Sequence, residues 1–391
     1  MPEAYIVAAR RTAGAKRGGA LREWHPADLG AAILDALVSD SGIDPAAIED
    51  VIMGCVSQAG EQSFHVGRNA VLASSLPQSV PAVTIDRQCG SSQQSLHFAA
   101  QAVMSGVQDV VIAAGVESMT RVPMGTPFMA PAKAGLSSDP FSPAIKERFG
   151  VQQFSQFTGA QMIADRYDMS REELDTFALD SHRKAAIASE AEAFDEEILV
   201  LEGLDKEGET FRHDRDQGIR ANASMEGLAG LDPIADGGVI TAGNASQICD
   251  GASGVLVVSE RALKEHGLTP LARVDAMAVT AGDPVVMLME PIPATAKVLE
   301  RAGRTHADIG LYEVNEAFAP VPLAWLKETD ADPDRLNVRG GAIALGHPLG
   351  ASGTKLATTL IYALRQRGER YGLQTMCEGG GIANATIIEA L

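Results

Sequence analysis

Cysteine is scarce in this 391-residue chain, which has only Cys55, Cys89, Cys249 and Cys377. No two of them form a C-x-x-C pair and no His-rich spacing accompanies them. That argues against structural zinc and leaves reduced thiols as the simplest state. Also missing is any G-x-G-x-x-G or G-x-x-x-x-G-K-[ST] run, so neither a dinucleotide fingerprint nor a P-loop is supported. No apolar run approaches the ~20 residues of a membrane span. The N-terminal MPEAYIVAARRTAG lacks the charged, apolar and small-residue order of a signal peptide. A soluble cytoplasmic protein without membrane insertion is expected. Basic charge is short as well: 32 Lys and Arg face 51 Asp and Glu, a formal net charge of −19. Such a surface repels polyanions, so nucleic-acid binding is not expected, although one small anionic ligand held by a local cluster is compatible with it.

What is present is core-forming material. Hydrophobic residues make up 46% of the chain, enough for two or three domains. The stretch VTIDRQCGSSQQSLHFAAQAVMSGVQDVVIAAG, residues 83–115, changes period part-way. Val83 and Ile85 alternate with polar neighbours, as in a half-buried strand. Leu96, Ala99, Ala100, Val103 and Met104 recur at helical spacing, and Gly106 is a natural stop. Val110 to Ala114 reads as a second, buried strand. Cys89 therefore lies at the N-terminal end of the helix in a β-α-β unit. A thiol at that position is expected to ionise more readily than a free cysteine, because helix-start amides favour negative charge. The plainer reading is a small buried hydrophobe.

The chain also repeats itself. SGIDPAAIEDVIMGCV from Ser41 lies over AGRTHADIGLYEVNEA from Ala302, an offset of 261 residues that also carries Cys89-Gly-Ser-Ser onto Gly350-Ala-Ser-Gly. With a small further shift, DVVIAAGVES from Asp109 falls on LQTMCEGGGI from Leu373. Two copies of one α/β unit account for this order. Between them, from about Ser118 to Gly243, polar helical segments and Pro/Gly/Asp-rich loops read as an insertion that caps the first copy. The expected division is 1–118 with about 244–268, an inserted 119–243, and 269–391. If the copies pack face to face, their strand ends and helix starts converge on one cleft.

The second copy holds partners for Cys89. YEVNEAFA puts Asn315 and Glu316 after a strand. RGGAIALGHPLGASG surrounds His347 with glycines that permit tight turns. MCEGGG ends a strand on Cys377 before three glycines with unshielded N–H groups. Each has a structural alternative: Asn315 as a helix cap, His347 as a satisfied core residue, Cys377 as core.

Together these blocks, with EAYIVAARRTAGAKRGGAL and GGVITAGNASQICDGASGVLVVSE (residues 237–260), resemble the thiolases over nearly the whole chain. The resemblance implies an α/β thiolase fold: two duplicated halves, five αβαβα layers, and an inserted cap or loop domain. It implies an acyltransferase that cleaves 3-ketoacyl-CoA with a second CoA, or condenses acyl-CoA units. Cys89 becomes the nucleophile and acyl carrier, and His347 its base and part of an oxyanion hole. Cys377 is the acid/base at carbon, Asn315 orients an oxyanion-binding water, and the Gly379 N–H joins that of Cys89 in a second hole. Arg220, Leu228 and Ser246 are the implied CoA contacts, and Ala317, Phe318 and Gln156 the further substrate contacts. CoA is a substrate, with no metal or tightly bound cofactor, and a homodimer or homotetramer is implied.

The chain also departs from the family. CGSSQQS replaces a usual Cys-x-Ser-Gly-Leu, making the helix behind the nucleophile more polar. Ser155-Gln156-Phe157 stands where short-chain biosynthetic enzymes carry His-Met-Gly in the acyl pocket, which speaks against strict acetoacetyl-CoA specificity. In these places the chain is more similar to actinobacterial thiolases, including those acting on steroid side chains. Cys377 separates it from decarboxylating ketoacyl synthases, which lack that second cysteine. The filled catalytic positions separate it from a non-catalytic acyl-CoA or lipid-binding protein, and no local signature supports a cysteine peptidase.

Overall fold

The computed structural model describes residues 2–391. Strand β1 (Ala4–Thr12), helix α1 (Pro26–Ser41), strand β2 (Asp50–Gly54), helix α2 (Val66–Ala73), strand β3 (Ala82–Ile85), helix α3 (Ser91–Ser105) and strand β4 (Val110–Ser118) follow in order, and strand β5 (Cys249–Ser259) returns after a long excursion. They lie side by side as β3-β2-β4-β5-β1. The second half runs β6 (Ala272–Ala281), α4 (Pro291–Ala302), β7 (Leu311–Val314), α5 (Pro320–Glu328), α6 (Ser352–Arg367), β8 (Tyr371–Glu378) and β9 (Ile382–Ala390). Its order is β7-β8-β9-β6, and a single parallel bridge from Leu336 to Tyr312 stands where β3 stands in the first half.

The duplication reaches single residues. Asp50 and Leu311 open equivalent strands, Ser91 and Ser352 equivalent helices, and Val110 and Tyr371 equivalent strands, all 261 residues apart. The extra shift that placed Asp109 over Leu373 is therefore corrected, since the repeat keeps one offset through its last block. β1 and β6 even carry a bulge at the same point, between Ile6 and Ala8 and between Val274 and Ala276. They pair antiparallel with each other, Tyr5 opposite Arg273, and join the two halves.

Burial follows from this order. Leu96, Ala99, Ala100 and Val103 of α3 pack with Ala357, Leu360, Ile361 and Leu364 of α6 between the sheet faces. α1 and α2 cover the outside of the first sheet and α4 and α5 that of the second, which completes five layers. Helix α3 ends at Gly106, whose φ of 76° is a left-handed conformation that glycine adopts without cost. One expectation fails: Val83 is 39% exposed, because β3 is the edge of the sheet and lacks a neighbour on that side.

Between β4 and β5 lie helices such as Gln156–Arg166 and Arg171–Glu190 and the hairpin of Leu201–Leu204 with Thr210–His213. The helix Arg171–Glu190 starts where the Ser170 side chain accepts from the Glu173 N–H, and it buries Leu174, Ala178, Ala185 and Ala188.

Candidate active site

β3 ends at Ile85, and residues 86–90 turn the chain into α3. Gln88 takes a positive φ of 49°, unusual for a side chain of its size. The Ser91 hydroxyl braces the turn, accepting from the Arg87 N–H at 3.0 Å and donating to the Gln88 carbonyl at 2.6 Å. Cys89 is buried among Met119, Leu349 and Met376. The expected acidification by helix-start amides is not found. Burial, and next the Glu378 carboxylate, push the Cys89 thiol up to about 12. Cys89 stands two residues ahead of the first helical residue, in an apolar pocket, so loss of solvation outweighs the amides. The thiol rests protonated and needs a base.

His347 is the expected one, and its surroundings leave it able to accept a proton. Its N–H donates to the Gln247 carbonyl at 3.0 Å, and Gly346 before it takes a φ of 80°. Ser352, the first residue of α6, donates its hydroxyl proton to the Pro348 carbonyl at 2.9 Å. Its oxygen, 2.5 Å from His347 Nδ1, must therefore accept from Nδ1–H. That places the imidazole lone pair on Nε2, which is buried and has no partner among the described residues. Burial, and after it Lys355, hold the ring pKa down to about 3, so it stays neutral and able to accept. Sequence reasoning missed Ser352, although it lies within the same glycine-rich run.

Asn315 follows β7, and its N–H donates to Thr375 on β8 at 3.0 Å, which places it beside the end of the strand that carries Cys377. Its side chain caps nothing. Both Oδ1 and Nδ2 are buried without partners among the described residues, leaving one donor and one acceptor for a water or oxyanion. Glu316 has a structural part instead, accepting from Ser181 Oγ, Asn337 Nδ2 and the Ile343 N–H. Cys377 is fully buried beside Phe318, Ala319 and Met287. Its thiol is pushed well above the ordinary range by burial and then by Cys89. A Cβ on Gly379 would come within 3.0 Å of Gln88 Oε1, so the turn after Cys377 meets the residue before Cys89.

Glu378 was not singled out by the sequence. Its carboxyl is buried against Gly90, where a Cβ would overlap it, and neither oxygen has a partner among the described residues. Burial holds its pKa well above the usual carboxylate range, against an opposing pull from Arg87. Above about pH 4.3 the unfolded chain releases this proton while the folded one retains it, so wild-type stability falls as pH rises toward the folded pKa. Glu378→Gln removes that dependence. Between pH 5 and 8 the variant is expected to gain more than about 1.4 kcal/mol relative to wild type, measured by urea unfolding, since one pKa unit carries that much. A pH-independent difference would show the carboxyl already ionised at pH 5.

The residues expected to contact substrate divide into two groups. The Ser246 N–H donates to Ala317 at 2.9 Å and Ala245 bridges Phe318, so residues 245–247 thread between the Asn315 turn and the His347 loop. Phe157 packs edge-on against Phe318, ring centroids 5.5 Å apart. Gln156, beside it, is half-buried at the first position of its helix. Leu228, buried, and Arg220, exposed, both lie in the insertion, with the Arg220 N–H on His182 Nδ1 at 3.2 Å. Among the described residues, no hydrogen bond or shared core cluster joins those two to Cys89. Among the described residues no group of three or more His, Cys, Asp or Glu is disposed to hold a metal, and no helix is long and apolar enough to cross a membrane.

Two family models cover the chain: thiolase N-terminal domain over residues 4–261 and thiolase C-terminal domain over 268–390. The chain belongs to the thiolase family. This thiolase is 50% identical to a steroid 3-ketoacyl-CoA thiolase of Mycobacterium tuberculosis, across 100% of this chain and 95% of that one. It is 42% identical to a 3-ketoacyl-CoA thiolase of Yersinia pestis, covering 99% and 98%, and 41% identical to one from Pseudoalteromonas translucida, covering 97% and 96%.

Proposed function

We propose that this thiolase cleaves 3-ketoacyl-CoA with CoA, reversibly, through an acyl-Cys89 intermediate. The observation that carries the reading is the set of buried unpartnered polar atoms, His347 Nε2 with Asn315 Oδ1 and Nδ2, together with two buried thiols, Cys89 and Cys377, whose flanking residues Gln88 and Gly379 meet. As the Cys89 sulfur bonds to the keto carbon, its proton passes to His347 Nε2. The bond from that carbon to the acetyl-CoA carbon then breaks, and its electron pair becomes an enolate that takes the proton of Cys377. The proton held on His347 passes to the Cys377 sulfur, CoA then gives its thiol proton to the neutral His347 Nε2 as it attacks the acyl thioester, and the departing Cys89 sulfur takes that proton back. The Cys89 and Gly379 N–H groups hold one oxyanion, and His347 with the water on Asn315 holds the other. Ser246, Ala317 and Phe318 are the substrate contacts nearest this chemistry, and Arg220 and Leu228 reach CoA from the inserted segment, residues 119–243.

The acyl group we infer is bulky, carried on a steroid skeleton. This rests on the 50% identical relative and on Phe157 and Phe318, which wall the position where a His-Met-Gly triplet would stand. We further infer a homodimer, or a dimer of dimers, built on the first half. Its edge strand β3 has unpaired backbone groups, and Phe64, Leu72 and Phe98 are 91%, 57% and 40% exposed.

The test is to follow loss of ketoacyl enolate absorbance with acetoacetyl-CoA, a long-chain 3-ketoacyl-CoA and a steroid-side-chain 3-ketoacyl-CoA, each with and without CoA. Cleavage should depend on CoA, vanish in Cys89→Ala, and run with a kcat/KM at least tenfold higher for the steroid substrate. Equal or faster cleavage of acetoacetyl-CoA would defeat the substrate assignment. Cleavage that survives in Cys89→Ala would defeat the mechanism.

A further inference from the structure

Helix α3 leads away from Cys89 with a face that does not suit its surroundings. It lies between two apolar layers, yet Gln93, Gln94 and His97 point into the second half with almost no solvent contact. There they meet Gln374 of β8 and Asn384 and Thr386 of β9, all fully buried. Thr386 Oγ1 lies 2.8 Å from Gln93 Nε2, which donates to it, and 2.7 Å from His97 Nε2. Asn384 Nδ2 donates to Gln94 Oε1 and faces His97 Nδ1, both at 3.1 Å. His97 Nδ1 thus accepts, and Nε2–H donates to Thr386. Gln374 Nε2 donates to the Gly353 carbonyl at 2.7 Å.

Six buried polar side chains are a costly way to fill a seam that leucine and alanine would close. What they add is direction. An apolar seam of alanines tolerates a slide between layers, whereas the hydrogen bonds from Gln93, Gln94 and His97 to Thr386 and Asn384 hold one register, although Gln93 Oε1, Gln374 Oε1 and Asn384 Oδ1 have no partner among the described residues. The elements it joins are those that carry the chemistry. α3 extends from the Cys89 turn, Gln374 lies three residues before Cys377, Asn384 pairs opposite Met376, and Gly353 follows the Ser352 that orients His347.

We propose that Gln93, Gln94, His97, Gln374, Asn384 and Thr386 form a positioning network that sets the spacing between Cys89 and Cys377. The inference rests on the roles assigned to those cysteines above. The spacing matters to one step, in which the Cys89-bound substrate breaks and its enolate takes the Cys377 proton. Exchange of an acyl group between acyl-CoA and free CoA uses Cys89 and His347 but makes no new carbon acid, so it does not draw on that spacing.

The two half-reactions separate the idea from mere stability. Thr386→Val keeps the shape and removes the oxygen that receives two donors. It should lower kcat for ketoacyl-CoA cleavage at least tenfold with KM within twofold, while exchange of labelled CoA into acyl-CoA stays within threefold. Thr386→Ser, which keeps the hydroxyl, should restore most of the cleavage. Gln93→Met, close in shape and lacking one donor, is judged by the same ratio should Thr386→Val fail to fold. Equal loss in both reactions, or unchanged cleavage, would overturn the proposal. A wild-type chain that exchanges acyl groups but cleaves no 3-ketoacyl-CoA would instead sink the reading of the site, and the positioning role with it.

Discussion

Cys377→Ala is expected to slow cleavage of 3-ketoacyl-CoA by roughly 10²–10⁴-fold, the usual worth of a positioned acid/base group, and to leave acyl exchange on Cys89 nearly intact. In the proposed mechanism the departing enolate needs a proton, and Cys377 is a buried thiol on the opposite half of the molecule, followed by a turn that meets Gln88, the residue before Cys89. Its raised pKa keeps that proton in place at neutral pH, which suits the proposed acid better than a second nucleophile. Single-turnover cleavage measured beside CoA exchange checks this. Loss of both in equal measure would mean that Cys377 supports the site by packing alone, and loss of neither would move the acid elsewhere.

The largest stability effect is expected at Arg11. Its guanidinium is fully buried, with Nε 2.6 Å from Glu197 and Nη1 and Nη2 on the two Asp216 oxygens at 2.9 and 3.1 Å. Against the cost of burial, Arg11 and then Lys355 hold the Asp216 carboxyl below the usual carboxylate range. Arg11→Met strands both carboxylates in the interior, with Arg339 at 3.3 Å and Lys355 at 3.8 Å as partial compensation. A loss of about 3 kcal/mol is expected, the lower end for breaking a buried pair. Urea unfolding of the two proteins measures it, and a midpoint within error of wild type would show that Lys355 and Arg339 suffice. The site should weaken too. Lys355 donates to the Leu345 and Gly346 carbonyls just before His347, so a cation drawn toward Asp216 loosens the loop that presents the base.

Much of the fold was legible because the repeat is written in turns and periods. Gly42, Gly106, Gly303 and Gly368 each end a helix with a left-handed φ of 67°, 76°, 64° and 68°, and glycine marks such stops in plain letters. Cys89, Asn315 and Cys377 stood out because each sits near a strand end or helix start, where the pattern changes, and His347 because glycines flank it. Ser352 and Glu378 did not. The worth of Ser352 comes from the ring of His347, and that of Glu378 from Gly90, 288 positions away along the chain.

The amino-acid order by itself determined the duplicated α/β architecture, the family and the four residues with chemical promise, since helical and strand periods and glycine stops are local properties. Only the tertiary structure decided the protonation states. The sequence predicted an acidified Cys89, but the folded chain buries it beside a carboxylate and raises it, because solvation is set by residues distant in sequence. The register of α3 against β8 and β9 is of the same kind, since it depends on hydrogen bonds whose partners meet only when the two halves close on one another, whereas the His347 tautomer is set within its own loop by Ser352 and Pro348.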